Sequence, residues 1–373
     1  MMTFIAFVAL LTIVVFVHEL GHFLVARWCG VKVQAFSIGF GKEIFGFYDR
    51  HGTRWRFAWI PLGGYVKFID DANEASVPAR SGTGTDAAID WTKVEGSFQG
   101  RPLGQRAAIV AAGPIANFIL STLVFAGILM TAGERVKDAR ISRVIPGSVA
   151  EAAGFKAGDH ITAVNGQRIE TFNELIRIVG NNAEYELTFS IERNGTPMTL
   201  KATPKFTEEP DGFGGKVRAG KIGVAPPEGE FNHRTFPFHE AIARGAWQTW
   251  EVVPGTFGYL KDGVTRRQSA DQLGGPVRIA EVSRRMAKAG FVPWLYTVAL
   301  ISAAIGLFNL FPIPLLDGGH LLYNAYEAVM RRPLSERAQE MGFKIGASVV
   351  LALMLFVMWN DRGILQKWLT FGG

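Results

Sequence analysis

The chain has 373 residues, of which 48% are hydrophobic and only 19% charged, below the roughly 25% charge content of ordinary soluble domains. Its formal net charge of +6 is modest, and the Lys and Arg residues form no basic stripe interleaved with aromatics, which argues against a nucleic-acid partner. A single cysteine, Cys29, excludes an intramolecular disulfide.

The scarcity of charge is local. Apolar runs at about 3–26, 107–132, 292–316 and 345–359 predict four membrane segments, separated by stretches of soluble composition. The first is distinguished from a cleaved signal peptide, because Met1-Met2-Thr3 offers no basic region and no small-x-small site precedes Arg27. It contains residues that a bilayer disfavours: His18, Glu19 and His22, in Val17-His18-Glu19-Leu20-Gly21-His22-Phe23. Four residues apart on a helix, His18 and His22 stack on one face, where two imidazole nitrogens can converge on a metal. Glu19 lies beside that face. This is the H-E-x-x-H pattern of zinc hydrolases, with two His as ligands and Glu as general base.

His18 lies roughly 21 Å along the helix from Phe4, in a hydrocarbon core about 30 Å thick. Arg27, Lys32, Lys42, Arg50, Arg54, Arg56 and Lys67 follow the segment and almost no charge precedes it, so the N-terminus is expected outside and the His pair in the cytoplasmic third. Between Val31 and Phe68, alternation, aromatics and glycines predict short strands and hairpins. One reading is a strand edge at Phe57, Ala58, Trp59 and Ile60 that binds extended substrate by backbone pairing. The other is a cytoplasmic hairpin that packs on the helices. Residues 70–100 are polar and read as a mobile cytoplasmic loop. In the second segment, Gly113-Pro114 and Asn117 fall at a depth comparable to that of the His pair. They either support the site or serve helix packing.

From Asp138 to Pro226, strands are predicted at Ala139–Ile145, Ile161–Gly166, Leu187–Glu192 and Met198–Lys201, with turns at Asn165-Gly166 and Asn194-Gly195. Phe172, Leu175, Ile176 and Val179 form one apolar helical face. Pro146-Gly147-Ser148-Val149-Ala150 through Gly158-Asp159, followed by Ile161 and Val164-Asn165-Gly166, closely resembles a PDZ domain. That resemblance implies a peptide or chain terminus as partner. Residues 231–289 read as helical, with Trp247, Trp250 and Tyr259 suited either to the membrane interface or to core packing.

The third segment ends in Asn309-Leu310-Phe311-Pro312-Ile313-Pro314-Leu315-Leu316-Asp317-Gly318. Its prolines require irregular backbone, which at membrane depth implies a cavity. A loop carrying Arg331, Arg332, Arg337 and Lys344 leads to the fourth segment, which returns the C-terminus outward. Segments one and three run in the same direction, so Asp317 reaches the membrane face that carries His18 and His22. Two His and one carboxylate leave zinc an open position for water. Asp317 is therefore the assigned third ligand, with His320 as its competitor. The other four His lie in soluble stretches.

The expectation is a multi-pass α-helical membrane protein of about four transmembrane helices, with a membrane-associated β-hairpin region and an extracytoplasmic PDZ-like β/α domain. Residues 1–30 hold the first segment and the zinc motif, 31–104 the hairpins and loop, and 105–134 the second segment. Residues 135–228 form the PDZ-like domain, 229–291 the interfacial helices, 292–320 the third segment, and 321–373 a cytoplasmic loop, the fourth segment and the tail.

The H-E-L-G-H motif, the PDZ-like insertion and the run from Asn309 to Gly318, in that order, resemble the site-2 protease family over nearly the whole chain. More narrowly, they resemble the bacterial regulator-of-sigma-E intramembrane metalloproteases. The resemblance implies a Zn2+ enzyme of the bacterial inner membrane that cleaves single-pass membrane proteins, such as trimmed anti-sigma factors or remnant signal peptides. It implies further that Asn309 holds the substrate backbone and that the hairpin at 54–68 pairs with it. The chain departs from enterobacterial members in having one PDZ-like unit where they carry two. The rival readings are a PDZ-bearing membrane scaffold with a vestigial metal site and a zinc peptidase acting on soluble peptides. A di-metal oxygenase needs more clustered His than the seven present.

Overall fold

The computed structural model describes residues 2–71, 90–210, 216–227, 232–264 and 275–362. They belong to two units, one formed by residues 1–127, 242–258 and 274–361, the other by 128–241, 259–273 and 362–373.

In the first unit, α1 (Met2–Trp28) is a single apolar helix that carries the His pair. It stops at Gly30, whose φ of +75° supplies the left-handed turn common past a helix end. Arg27 in its last turn donates to Asp49 Oδ2 at 3.0 Å and to Thr53 Oγ1 at 3.2 Å. The expected short hairpins are instead two long bent strands, β1 (Val33–Tyr48) and β2 (Arg54–Phe68). Ala35 lies opposite both Lys67 and Arg54, Phe36 opposite Val66 and Trp55, Ser37 opposite Tyr65 and Arg56, and Ile38 opposite Gly64 and Phe57. The ribbon therefore doubles back on itself. Gly39 permits the bend: its φ is +90°, and a Cβ there would sit 2.7 Å from the Ile60 carbonyl oxygen. Phe36 is fully buried among Phe16, Phe23 and Trp55, which fixes the ribbon on α1 and contributes about 2 kcal/mol by area.

Of the loop expected at 70–100, residues 72–89 lie outside the described residues. Its end is tied back by the buried Asp70, which accepts from Phe98 N at 3.1 Å and Gln99 N at 2.8 Å. Helix α2 (Leu103–Thr131) follows, with Pro114 inside it. It touches α1 closely at Gly21, where a Cβ would meet Ala116 Cβ at 2.8 Å and overlap the Ala112 carbonyl oxygen.

The second unit contains short ribbons and a four-stranded sheet. Strand β3 (Glu134–Val136) pairs with β12 (Asn232–Arg234), and β4 (Arg143–Val144) with β11 (Val224–Ala225). Strand β9 (Lys205–Pro210) pairs with β10 (Lys216–Lys221). The strand expected over Ala139–Ile145 is thus reduced to β4, with one further bridge from Arg140 to His160. After the single turn α3 (Val149–Ala152), the sheet has the order β6 (Gln167–Arg168), β5 (His160–Val164), β7 (Leu187–Arg193), β8 (Thr196–Ala202). Asn165-Gly166 and Asn194-Gly195 have positive φ at both positions, as such tight turns require. Helix α4 (Phe172–Asn181) begins with a capping box between Thr171 and Glu174. It buries Phe172, Leu175 and Val179 against Ile161, Phe189 and Ile191. Arg193 grips the buried Asp159, Nε to Oδ1 at 2.7 Å and Nη2 to Oδ2 at 2.8 Å. Burial alone would raise the Asp159 pKa, but the Arg193 fork and the Lys156 N–H outweigh it and hold the carboxyl below its ordinary range.

Helix α5 (Phe238–Val264) buries Thr249 against Ser121 and Thr122 of α2, within the first unit. Helix α6 (Pro276–Ala289) is capped by Asp361, whose Oδ2 accepts from Arg278 N at 3.1 Å, and is joined through Gly290 to α7 (Phe291–Asn309). Residues 310–316 are the expected break. Beyond it the chain is again helical in α8 (Asp317–Met330), where a loop was expected; Arg331, with φ +55°, ends that helix. Arg106 Nη2 pairs with Glu327 Oε1 at 2.5 Å, tying α8 to α2. Helix α9 (Glu336–Asn360) starts nine residues before the predicted fourth segment, capped by Ser335. Among the described residues, four helices are long and apolar enough to cross a membrane: Ile5–Trp28, Leu103–Thr131, Phe291–Asn309 and Arg337–Asn360.

Candidate metal centre

The helical spacing of the motif does what its period demands. His18 Nε2 and His22 Nε2 lie 3.2 Å apart, one turn from each other on α1. Asp317, the first residue of α8, places Oδ2 3.2 Å from His18 Nε2 and 3.5 Å from His22 Nε2. Zinc bonds of about 2.0–2.1 Å at tetrahedral angles put neighbouring ligand atoms about 3.3–3.4 Å apart, so the three spacings fit one such ion. Asp317 Oδ2 is buried and has no hydrogen-bond donor of its own. Two imidazole nitrogens and a carboxylate oxygen brought so close, with no donor between them, are the make-up of a cation site. It is the one group of three or more such residues among those described, and His320 is not in it. The His320 ring packs edge-on against Tyr323 instead, at 6.2 Å between centroids.

Asp317 is held by the break that precedes it. Gly318 packs against the Leu310 and Phe311 carbonyls and Gly319 against that of Ile313, leaving no room for a side chain at either position. The His rings are held by α2. His22 Nδ1 is 2.8 Å from the Ile109 carbonyl oxygen, which can only accept, so Nδ1 carries the proton and Nε2 keeps its lone pair. Asn117, fully buried, brings its amide to 3.2 Å from His18 Nδ1. Glu19 sits within electrostatic reach of His18, His22 and Asp317. Its Cγ would lie 3.0 Å from a Cβ on Gly64, so the ribbon reaches the site at Gly64.

The remaining expected positions are Phe57, Ala58, Trp59, Ile60 and Asn309. Phe57 lies opposite Ile38 on one side and Phe45 on the other, Ala58 opposite Glu43 and Ile60 opposite Phe40. The free edge expected at Phe57 is therefore filled, because the bend folds β1 onto both sides of β2. Trp59 is 68% exposed and has no register partner. Asn309 is half-buried at the last turn of α7, directly before the break. The Gly64 approach escaped the sequence reading; the Gly63-Gly64 doublet within a strand pattern was its only signal, since a strand glycine often marks close backbone approach.

A helical membrane protein with two His, one carboxylate and a neighbouring Glu has the make-up of a membrane metallopeptidase. Comparison with known proteins agrees. The model of peptidase family M50 matches residues 6–353. A protein named as a candidate zinc metalloprotease in Rhizobium meliloti is 46% identical over 357 residues, covering 95% of each chain. Metalloprotease MmpA of Caulobacter vibrioides is 37% identical, covering 97% of this chain and 96% of that one. Protease RseP of Yersinia pestis is 32% identical over 454 aligned positions, covering 95% of this chain and 97% of that one. This alignment is longer than the present chain, so that relative carries inserted sequence. Among solved structures, the PDZ domain of an SdrC-like protein from Listeria innocua matches 26% of this chain and 99% of its own at 18% identity. Its TM-score of 0.21 is too low to carry an argument. The chain belongs to peptidase family M50, and it is a zinc metalloendopeptidase of the site-2 protease type.

Proposed function

We propose that the protein hydrolyses peptide bonds of single-pass membrane proteins, of the anti-sigma-factor or remnant-signal-peptide kind, at a site within the bilayer. The observation that carries this reading is the convergence of His18 and His22, on a helix apolar enough to span a membrane, with Asp317, just past the break that ends a second such helix; irregular backbone at membrane depth lines a cavity. His18, His22 and Asp317 would hold the zinc. When bound, it supplies Lewis acidity, acidifying water and polarising a carbonyl. Glu19 accepts the proton of the attacking water and delivers it to the leaving amine nitrogen. Asn309, at the end of α7, would bind the substrate backbone. A helical substrate must unwind to expose its carbonyl. The ribbon offers strand pairing for that along the half of β2 that returns past Glu19, where residues 64–68 pair with β1 on one side. The charge distribution supports N- and C-termini and a PDZ-like domain on the outer face of the bacterial inner membrane. There, β4–β8 and α4 would take a peptide or chain terminus.

The test is Glu19→Gln in the purified, detergent-solubilised chain. It should keep one zinc per chain and lose cleavage of a single-pass substrate by about 10²–10⁴-fold. Activity that survives the substitution would remove Glu19 as the base, and a wild type without zinc or cleavage would favour the scaffold reading. Equal cleavage of the substrate's isolated soluble portion would make the protein a peptidase of soluble peptides instead.

A further inference from the structure

A metal-bound imidazole is only as well placed as the partner of its other nitrogen. For His22 that partner is the Ile109 carbonyl. For His18 it is Asn117, and here the atoms conflict. Asn117 Nδ2 faces His18 Nδ1 at 3.2 Å, while Asn117 Oδ1 is buried without a donor. An Nδ2 that donates to Nδ1 would leave His18 protonated at Nε2, the nitrogen that faces His22 and Asp317, and Nε2 would then have no lone pair for a metal. The two ends of the amide are alike in shape, so hydrogen bonding decides between them. Turning it over gives Oδ1 its donor and makes His18 the Nδ1–H tautomer with Nε2 free, while Nδ2 moves to the place that Oδ1 had held.

We propose that Asn117 is a positioning residue for the metal centre, its Oδ1 accepting from His18 Nδ1 and fixing both the tautomer and the ring plane of that ligand. The surroundings leave the side chain little freedom. Ser302 Oγ of α7 donates to the Asn117 carbonyl oxygen at 2.9 Å. Across the same contact, a Cβ on Gly306 of α7 would lie 3.2 Å from Asn117 Cβ. Asn117 and Ser302 are both fully buried. Helix α7 thus grips the residue that orients His18, while its C-terminal break delivers Asp317, so one helix sets two of the three ligands. A backbone carbonyl orients His22 whatever residue stands at 109, whereas His18 depends on a side chain and is the ligand that substitution can misplace.

This inference rests on the metal reading above, and the experiment separates the two. Zinc affinity of the full chain in detergent is measured by chelator competition for the wild type, Asn117→Ala, Asn117→Leu and Asn117→Asp. Loss of an outer-shell acceptor should weaken zinc about 10–100-fold in the Ala and Leu variants. Leu keeps the packing volume, so a purely packing role predicts near-normal affinity for it. Asn117→Asp, whose carboxylate accepts the same N–H, should bind at least as tightly as the wild type. Ala and Leu variants with wild-type affinity, or an Asp variant as weak as Ala, would overturn the proposal. Should the variants fail to fold, nitrogen-15 spectra of the zinc-loaded wild type decide: both bound imidazoles should carry a proton at Nδ1, and one without it refutes the assignment. A wild type that takes up no zinc would instead overturn the metal reading itself.

Discussion

Gly113→Ala should separate the metal-bound from the metal-free protein by the size of its effect. Gly113 faces the His22 ring, and an added Cβ would stand 2.6 Å from Cε1 and 2.8 Å from Cδ2 while overlapping Nε2, the ligand atom. With metal bound, the imidazole cannot turn away without giving up either the ion or its 2.8 Å bond to the Ile109 carbonyl. Overpacking of this kind costs about 1–3 kcal/mol. If the bound state alone bears it, zinc affinity falls by about 5- to 160-fold. Without metal, a turn of His22 gives up only its bond to the Ile109 carbonyl, worth about 1 kcal/mol, and Ala in place of Gly inside α2 stabilises the helix by up to about 1 kcal/mol. Chelator competition should therefore show weakened zinc binding. Thermal unfolding in excess chelator should show a midpoint close to that of the wild type. A variant that binds zinc as the wild type does would refute the packing argument, and one that loses stability equally with and without metal would refute the claim that the strain belongs to the bound state.

Gly64→Ala places a Cβ 2.7 Å from the Ser37 carbonyl oxygen and 3.0 Å from Glu19 Cγ, so it should keep zinc but lower kcat by at least about tenfold through displacement of the base; unchanged kcat would detach the ribbon from catalysis. Burial raises Asp71 from 3.8 to about 7, against the Phe68 N–H that its carboxylate accepts and with the help of neighbouring Asp70. The folded state therefore holds an extra proton between those values, and the contribution to stability is full below about 3.8, falls as pH rises to about 7 and is level beyond. Asp71→Asn should remove that fall, raising the unfolding midpoint over wild type at pH 8 but not at pH 3.5; equal midpoints at pH 8 would contradict it.

The parts of the site that carry charge were legible because each stands in a context that makes it conspicuous. His18, Glu19 and His22 interrupt an apolar run at helical spacing, Pro312 and Pro314 cannot continue a helix, and co-directional segments bring Asp317 to the same face. The choice of Asp317 over His320 was less secure from sequence, since three residues on a resumed helix share a face. The structure groups Asp317 with the His pair at the helix start, where Gly318 and Gly319 turn tightly against carbonyls of the break and His320 packs on Tyr323. The loop expected after 320 is helical because Leu321 to Met330 contains no Gly or Pro, the first being Pro333, just past the left-handed Arg331. Hairpin alternation was visible in the ribbon, but not its register: pairing of Ala35–Ile38 with two stretches of β2 depends on how sharply the chain turns at Gly39 and Gly63, which alternation does not encode.

What stayed hidden follows one physical rule. Gly21 lets α1 approach the Ala112 carbonyl, Gly113 leaves space for the His22 ring, and Gly64 leaves space for Glu19. Each position contributes the absence of a side chain. A glycine in a single sequence is compatible with a turn, a weak helix position or a close approach, and only the partner across the contact tells them apart. The proposed ligands of this centre are therefore written in the sequence as chemistry, and the space they occupy is written as glycine. The first can be read one segment at a time, whereas the second has meaning only once α1, α2 and the ribbon are packed together.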